Sequence, residues 1–248
     1  MANNRTVHRA TEILKLLASA PGGMSLSEIS SALDIPMTSA FDIVHTLRRS
    51  HFLREANKRF AIGVAAREVG EAYAQDKDLY GIAKEYLKTM GDELNLAASL
   101  VLYENEGLNY VVQYRPIGSI LGPSLSGKHS YIHASASGKI LLAFMKGVRF
   151  QKALEQLEYV EFTRNTITSR ERFLEELETV KRQGYAVDDR EFNDLLTCIS
   201  APLINRGQVV AAVTVSGLQV RKERVQELAA HVIAVSRTIS DRLQTVLG

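Results

Sequence analysis

The chain has 248 residues, of which 46% are hydrophobic, so it is long enough for two modest domains and can fill a packed core. This composition excludes a disordered chain, and no run approaches the roughly 20 consecutive apolar residues of a membrane span. The one cysteine, Cys198, excludes an internal disulfide, and the N-terminus lacks the pattern of a signal peptide, so we expect a cytoplasmic protein that spans no membrane.

The net charge of +2 is small, but it is unevenly distributed along the chain. Residues 1–65 carry eight Lys and Arg against five Asp and Glu, a net charge of +3, whereas the remainder carries 22 against 23. This excess favours nucleic-acid binding only if the basic residues share one face.

The first 50 residues have the pattern of three short helices. Apolar residues recur at three- and four-residue steps from Val7 to Ala18 and predict an amphipathic helix. A second short helix follows Ser25 or Ser27, either of which can cap it, and ends before Pro36. A third helix is predicted from Met37 to Arg49, and its buried stripe consists of Ala40, Ile43, Val44 and Leu47.

The opposite side of the third helix carries short polar groups early and two arginines late. It comprises Thr38, Ser39, Phe41, Asp42, His45, Arg48 and Arg49. This order is typical of a recognition helix in a helix-turn-helix protein, whose first turns reach base edges while basic residues meet phosphates. A hairpin over residues 52–62 then places Lys58 and Arg59 beside its turn and predicts a basic wing. The alternative interpretation is a solvated three-helix bundle with a surface hairpin.

Residues 64–94 have the pattern of two successive helices, roughly Val64–Tyr80 and Ile82–Leu94. We expect a helical linker here, between a DNA-binding domain at residues 1–63 and a larger domain at residues 95–248. An apolar stripe on this linker suits packing against a second subunit, because a dimer binds two DNA half-sites about one turn apart. The alternative is an ordinary helix packed on its own domain.

The remaining residues predict a mixture of strands and helices, and the fold class is therefore α+β. Strands are expected at Ala98–Tyr103, Leu108–Tyr114, Tyr185–Asp188, Thr197–Ile204 and Val209–Ser216. Beyond a looser segment at 117–126, helices are expected from about Ser135, at Arg149–Leu157, at Ser169–Arg182 and at about Lys222–Leu247.

Two patterns in the middle of the chain resemble ligand-binding motifs only in part. Residues 122–128 match most of a phosphate-binding P-loop, but His129 follows where a Ser or Thr would ligate magnesium. His129 and His133 have the metal-ligand spacing of a helix, yet their segment is predicted to be extended, which separates them.

Two further groups are weak candidates for catalysis. Asp188 and Asp189 are adjacent, so on a strand their carboxylates point to opposite faces and cannot act together as acid and base. Cys198 lies in an apolar strand, which favours a packed or ligand-touching thiol over a nucleophile. We therefore predict no catalytic residue, no metal site and no cofactor.

The chain resembles the IclR-type bacterial transcriptional regulators across almost its full length. The resemblance is carried, in order, by RATEILKLLA, LSEISSALDIPMTSAFDIVHTLRR, IHASASGKILLA, TITSRERFLEELETVKRQGYAVDDRE, CISAPL and AAVTVSG. It implies an N-terminal winged helix-turn-helix, a helical linker and a C-terminal GAF-like α/β effector-binding domain with an antiparallel sheet. It also implies assembly into dimers or tetramers.

The resemblance further implies the residues of an effector pocket. These are Ala136 and Ser137 from the loop before the SGK helix, Asp188 and Cys198 from the second strand region, and Thr214 and Ser216 from the next strand. Backbone amides at the start of that helix can hold a carboxylate. Strand alternation places Thr214 and Ser216 on one face of the strand and Val213 and Val215 on the other.

The chain departs from the family pattern in its recognition helix and beside its pocket. Met37 and Asp42 stand where the family commonly has a basic residue and an arginine, and residues 192–196 lack a common glycine. The operator sequence and the effector therefore do not follow from the resemblance.

Together, these patterns predict a DNA-binding transcriptional repressor whose operator binding is modulated by a small carboxylate from a catabolic pathway. Its partners would be a double-stranded DNA operator, the small-molecule effector and further copies of the chain in a homodimer or homotetramer. Two alternatives stay open: an enzyme acting on a small acid with an N-terminal interaction domain, and a sensor whose N-terminal domain binds a protein.

Overall fold

The computed structural model describes residues 4–75, 78–117, 128–129, 131–218 and 220–247. Its helices are α1 (Arg5–Ala18), α2 (Leu26–Ala32), α3 (Met37–Arg49), α4 (Val64–Gln75), α5 (Asp78–Leu94), α6 (Ala136–Ala143), α7 (Gly147–Glu155), α8 (Arg170–Gln183) and α9 (Lys222–Leu247). Its strands are β1 (Leu53–Ala56), β2 (Arg59–Ile62), β3 (Ala97–Glu104), β4 (Gly107–Tyr114), β5 (Lys128–His129), β6 (Ala186–Asp189), β7 (Leu196–Asn205) and β8 (Gln208–Leu218). The chain divides into two compact units, Met1–Lys77 and Asp78–Gly248.

In the N-terminal unit, α1, α2 and α3 pack around one apolar core beside the β1–β2 hairpin. The buried core residues are Ile13, Leu17, Ile29, Ile35, Ala40, Ile43, Val44, Leu53 and Phe60. Ser25 caps α2, because its hydroxyl accepts from the Glu28 N–H while the Glu28 carboxylate accepts from the Ser25 N–H at 2.7 Å. This reciprocal capping box decides between the two predicted caps, Ser25 and Ser27.

The β1–β2 hairpin has a two-residue turn at Asn57 and Lys58. Both residues have positive φ angles, 52° and 59°, which the tight turns of β-hairpins require. The pairing runs from Leu53 opposite Ile62 to Ala56 opposite Arg59. The hairpin predicted from the sequence is therefore present, with its basic residues at the turn.

The C-terminal unit is built on a six-stranded antiparallel sheet with helices on both faces. Among the described residues, the strand order is β5-β4-β3-β8-β7-β6. One face packs against α5 and α9 through alternate strand residues such as Leu100, Ile199, Val213 and Val215. The other face packs against α6, α7 and α8. This arrangement agrees with the predicted α+β class and antiparallel sheet.

Local signals fix the ends of several helices in this unit. The Ser135 hydroxyl accepts from the Gly138 N–H at 3.1 Å and starts α6, and the Ser169 hydroxyl accepts from the Arg172 N–H to start α8. Gly184 ends α8 in the left-handed region at φ 78°, which glycine adopts without steric cost. The predicted bounds of α9 match the structure.

The predicted helical linker differs from the structure in where its first helix ends. The first predicted linker helix is too long, because α4 ends at Gln75 and the residues from Asp78 begin α5. The face of α5 that carries Ala83, Leu87 and Met90 packs in the core of its own unit.

Most of the looser segment, and residues 122–127 of the P-loop-like run, lie outside the described residues. Within the described residues, no helix has both the length and the apolar character that a membrane crossing requires.

Candidate functional sites

The outer face of α3 points to solvent along the whole helix. Its outward residues are Thr38, Ser39, Phe41, Asp42, His45, Arg48 and Arg49, of which Ser39 and His45 are half-buried and the others exposed. On the opposite side, Ala40, Ile43 and Val44 are buried and Leu47 is half-buried. The helix therefore offers a polar, arginine-bearing surface above an aliphatic stripe, as its periodicity predicts.

A series of aromatic contacts runs from α3 to the wing. The ring of Phe41 is 50% exposed, and its centroid lies 4.1 Å from that of His45. The His45 ring in turn meets the buried ring of Phe60 edge-on, with centroids 5.8 Å apart. These contacts hold the exposed Phe41 ring in a defined orientation.

Two of the predicted DNA-contacting arginines make contacts within the protein. Arg48 of α3 pairs with Glu55 of β1 at 2.6 Å. Arg59 of β2 donates to the Gly23 carbonyl at 2.8 Å and pairs with Glu28 at 3.2 Å. Arg48 thus ties α3 to the β1–β2 hairpin, and Arg59 ties that hairpin to the turn between α1 and α2. Sequence spacing gave no signal of either contact.

Lys58 and Arg49 are the predicted basic contacts that point most freely outward. Lys58 lies exposed in the two-residue turn of the hairpin. Arg49 is exposed at the end of α3, where its guanidinium makes only a long hydrogen bond, 3.4 Å, to the Thr46 hydroxyl of the same helix. Both side chains are therefore placed where a phosphate would be accessible to them.

A pocket in the C-terminal unit lies between the start of α6 and the sheet. Its cavity volume is about 20 Å³, so the lining side chains nearly fill it in this structure. Its lining residues are Leu108, Tyr110, Tyr131, Ser135, Ala136, Ser137, Asp188, Phe192, Leu196, Cys198 and Thr214. The structure thus brings together five of the six residues predicted for an effector site.

Three of the six predicted positions differ in detail. Ala136 and Ser137 lie in the first turn of α6, not in the loop before it, because the Ser135 cap starts the helix there. Ser216 is absent from the lining, since its hydroxyl donates to the Cys198 sulfur at 3.2 Å and so lies beside the pocket wall.

Strand register explains why residues distant in sequence meet at the pocket. Asp188 of β6 pairs with Cys198 of β7, and Cys198 pairs with Ser216 of β8. Two pairs further along, on the same face of the sheet, the Ser200 and Thr214 hydroxyls are 2.7 Å apart. Val213 and Val215 lie in the α5–α9 core, so the predicted alternation along β8 is confirmed.

Burial controls the ionisation of the pocket's acidic groups. It raises the pKa of Asp188 to about 7, although the Glu191 N–H donates to that carboxylate at 2.7 Å and favours the charged form. Burial also raises the pKa of Tyr110 to about 12 and raises the pKa of the Cys198 thiol well above its ordinary value. At neutral pH the phenol and thiol therefore stay protonated, while Asp188 is close to its titration midpoint.

A buried ion pair anchors the pocket wall that follows β6. The Lys139 side chain of α6 is 1% exposed and donates to the Glu191 carboxylate, to the Val187 carbonyl at 2.9 Å and to Glu176 at 3.2 Å. The Glu191 carbonyl also accepts from the Thr166 hydroxyl at 2.6 Å. The Glu191 N–H also donates to the Asp188 carboxylate. The network therefore connects Lys139 of α6 to Asp188 in the pocket lining.

Sequence reasoning did not identify the aromatic residues of the pocket. Tyr131 stacks on Phe192 with centroids 4.8 Å apart and meets Phe162 at 4.8 Å. Nothing in the local pattern relates these three positions. Tyr110 had a usable signal, since it lies two residues after Leu108 on a predicted strand and therefore on the same face.

Of the two histidines with metal-ligand spacing, the structure describes the surroundings of His133. His129 lies on β5, whereas His133 is buried and its Nε2 lies 2.9 Å from the Val160 carbonyl. Burial lowers the pKa of His133. Across the described ranges, no group of three or more His, Cys, Asp or Glu side chains is arranged to hold a metal ion.

Comparisons with known proteins cover both units. Residues 6–56 match the family model described as "IclR helix-turn-helix domain", and residues 71–241 match "Bacterial transcriptional regulator IclR C-terminal". The chain is 30% identical over 236 residues to the uncharacterized HTH-type transcriptional regulator RhmR of Escherichia coli (strain K12), covering 94% of this chain and 90% of that protein.

Two further similar proteins are a transcriptional repressor and an IclR protein of known structure. The HTH-type transcriptional repressor AllR of Escherichia coli (strain K12) is 27% identical over 225 residues, covering 86% of this chain and 80% of AllR. The crystal structure of Thermotoga maritima IclR aligns with a TM-score of 0.80 at 27% identity and covers 98% of this chain and 100% of that chain.

Proposed function

Because the chain belongs to the IclR family of bacterial transcriptional regulators, we propose that it is a repressor that binds its operator through α3 and the wing and senses a small carboxylate beside α6. The family and the relatives are DNA-binding transcriptional regulators, not enzymes. The name of the repressor AllR supports the direction of regulation. A regulator of this kind acts in the cytoplasm, where bacterial DNA lies.

The outward face of α3 is the observation that carries this proposal. Its polar and arginine side chains point to solvent above a buried aliphatic stripe, which is the arrangement that a helix needs to enter a major groove. Thr38, Asp42 and His45 would approach base edges, and Arg49 with Lys58 of the wing would meet phosphates.

The pocket chemistry supports an anionic effector with a partly apolar body. Amides at the start of α6 carry partial positive charge, and the Ser137 and Thr214 hydroxyls can donate to a carboxylate. The described lining contains no Lys or Arg, so the charge of an acid would be met by these dipoles. Tyr110, Tyr131 and Phe192 would cover the rest of the molecule.

The effector would act by shifting populations between arrangements that fit the operator and arrangements that do not. Two recognition helices of a dimer, or of a pair within a tetramer, would occupy successive major grooves of a palindromic site. An effector that binds one arrangement more tightly can change operator affinity by at most its difference in binding free energy between the two arrangements.

Footprinting of promoter DNA with the full chain tests the DNA-binding part. A protected palindrome is expected, and Arg49→Ala should weaken binding and reduce the slope of log K against log salt by about 1. Lys152→Ala, which removes an exposed positive charge from the other unit, should leave operator affinity unchanged. If Arg48→Ala and Arg49→Ala both leave DNA affinity intact, the N-terminal unit would instead serve a protein partner.

Thermal denaturation with a panel of 2-oxo acids, sugar acids and aromatic acids tests the sensing part. A ligand selective for the native state raises the melting temperature, and the rise grows with the logarithm of its concentration relative to its Kd. Ser137→Ala, which removes one hydroxyl from the pocket, should reduce that rise. A panel in which no acid stabilises the wild-type chain would contradict the proposed effector class.

A further inference from the structure

The geometry of α3 points to a base preference: we propose that Phe41 contacts the 5-methyl group of a thymine in each operator half-site and thereby selects thymine at one position. This inference rests on the DNA binding proposed above and specifies what the recognition helix reads. Phe41 is the one large apolar side chain among the polar and charged residues named above for the outward face of α3.

Phe41 places an apolar ring in the part of α3 that would enter the groove. It is the fifth residue of the helix, and half of its surface is exposed between the polar residues Thr38 and Asp42 and the arginines Arg48 and Arg49. The first turns of a recognition helix are the ones that reach base edges. The ring would therefore lose its contact with water when the helix docks.

The ring is also held in place before any DNA binds. His45 packs against it at 4.1 Å, and His45 is itself supported by the buried ring of Phe60 on the wing. A side chain whose orientation is already fixed loses little conformational entropy on contact. The Phe41 ring can thus discriminate between small differences in the surface that it meets.

The chemistry of the major groove leaves one partner for such a ring. Base edges there present hydrogen-bond donors and acceptors, and the thymine 5-methyl group is the apolar feature. A second copy of the chain is a poorer occupant, because the hollow beside Phe41 is lined by Asp42, His45, Thr46, Arg48 and Arg49. Positive groups on that hollow suit a polyanion that carries an apolar methyl group.

Selection from a random duplex library with the full-length chain, followed by base replacement, tests the inference. Each thymine of the selected half-site is replaced in turn by deoxyuridine, which removes only the methyl group. At one position the wild-type chain should lose affinity about fourfold per half-site, since burying one methyl group contributes that much to an equilibrium constant. Phe41→Ala should bind both duplexes equally, and Phe41→Leu should retain part of the discrimination.

Arg49→Ala is the matched control, because it should weaken both duplexes by the same factor and keep the preference for thymine. Circular dichroism of each variant checks that the half-exposed Phe41 can be replaced without unfolding. Equal binding of thymine and uracil duplexes at every position, or discrimination that survives in Phe41→Ala, would overturn this inference alone. Failure to select any duplex would overturn the proposed function as well.

Discussion

At the scale of single residues, Asp188 links the pocket to pH. Burial raises the pKa of its carboxyl from an ordinary 3.8 to about 7. Between these two values the native chain holds a proton that the unfolded chain has released. The native state therefore loses stability as the pH rises from about 4 to about 7, by linkage of proton binding to folding.

Asp188→Asn should remove this pH dependence. The amide oxygen can still accept from the Glu191 N–H, but no buried charge forms at high pH. We expect the variant to be more stable than wild type at pH 8, by about 4 kcal/mol, and close to wild type at pH 4. Urea denaturation at both pH values measures the difference, and an equal offset at the two would contradict the assignment.

At the scale of elements, the sequence predicts features that depend on neighbouring residues, such as caps, turns and helix bounds. It does not predict which residues from distant strands and loops meet in the pocket. The capping of α2 and α6, the hairpin turn at Asn57 and Lys58, and the bounds of α9 all depend on local chemistry and are predictable. The resemblance supplied the pocket residues of β6, β7 and β8. The contribution of Tyr131 and Phe192 to the pocket lining, by contrast, depends on tertiary packing, which the local sequence periodicity does not indicate.

The buried ion pair shows the same limit. Lys139 lies in an otherwise apolar helix, where a sequence pattern gives no hint of the carboxylate that accompanies it. Glu191 is 52 residues away and is brought to it by the turn after β6. The sequence likewise gives no sign that Arg48 pairs with Glu55 or that Arg59 pairs with Glu28. The roles of both arginines as phosphate contacts stay predictions.

Removal of the Lys139 charge should destabilise the C-terminal unit strongly. Lys139→Met keeps most of the volume but leaves the Glu191 carboxylate buried without its cation, which costs about 3 kcal/mol. Adding Glu191→Gln should restore most of that loss. Urea denaturation measures both, and Lys152→Met, which breaks the exposed pair with Glu106, is the control with little expected change.

Loss of the α2 cap should affect the N-terminal unit. Ser25→Ala removes the hydroxyl that accepts from the Glu28 N–H, and the expected cost is about 1 kcal/mol of unfolding free energy. Ser31→Ala, at an exposed position inside the same helix, should cost nothing because alanine favours helices. Equal melting temperatures for the two variants would show that the capping box adds no stability.

At the scale of the whole molecule, the two proposed functions lie in separate compact units. The α3 surface belongs to residues 1–77, and the pocket belongs to residues 78–248. Any effect of the effector on DNA binding is therefore a coupling free energy between two distinct sites. Such coupling is reciprocal by thermodynamic necessity.

The factor by which an effector changes operator affinity should equal the factor by which the operator changes effector affinity. Fluorescence anisotropy of labelled operator, with and without the acid, gives the first factor. Calorimetric titration of the acid, with and without operator, gives the second. We expect both to fall between about 5 and 150, and two unequal factors would mean that the acid binds a further site.

The alternation along β7 and β8 limits how this scaffold can acquire new ligands. Insertion or deletion of a single residue just before Val213 would exchange the two faces of β8 from that point on, bringing the aliphatic Val213 and Val215 into the cavity and the hydroxyls of Thr214 and Ser216 into the hydrophobic layer. Point substitution at every second position keeps this alternation, so it can change the cavity lining without disturbing the hydrophobic layer.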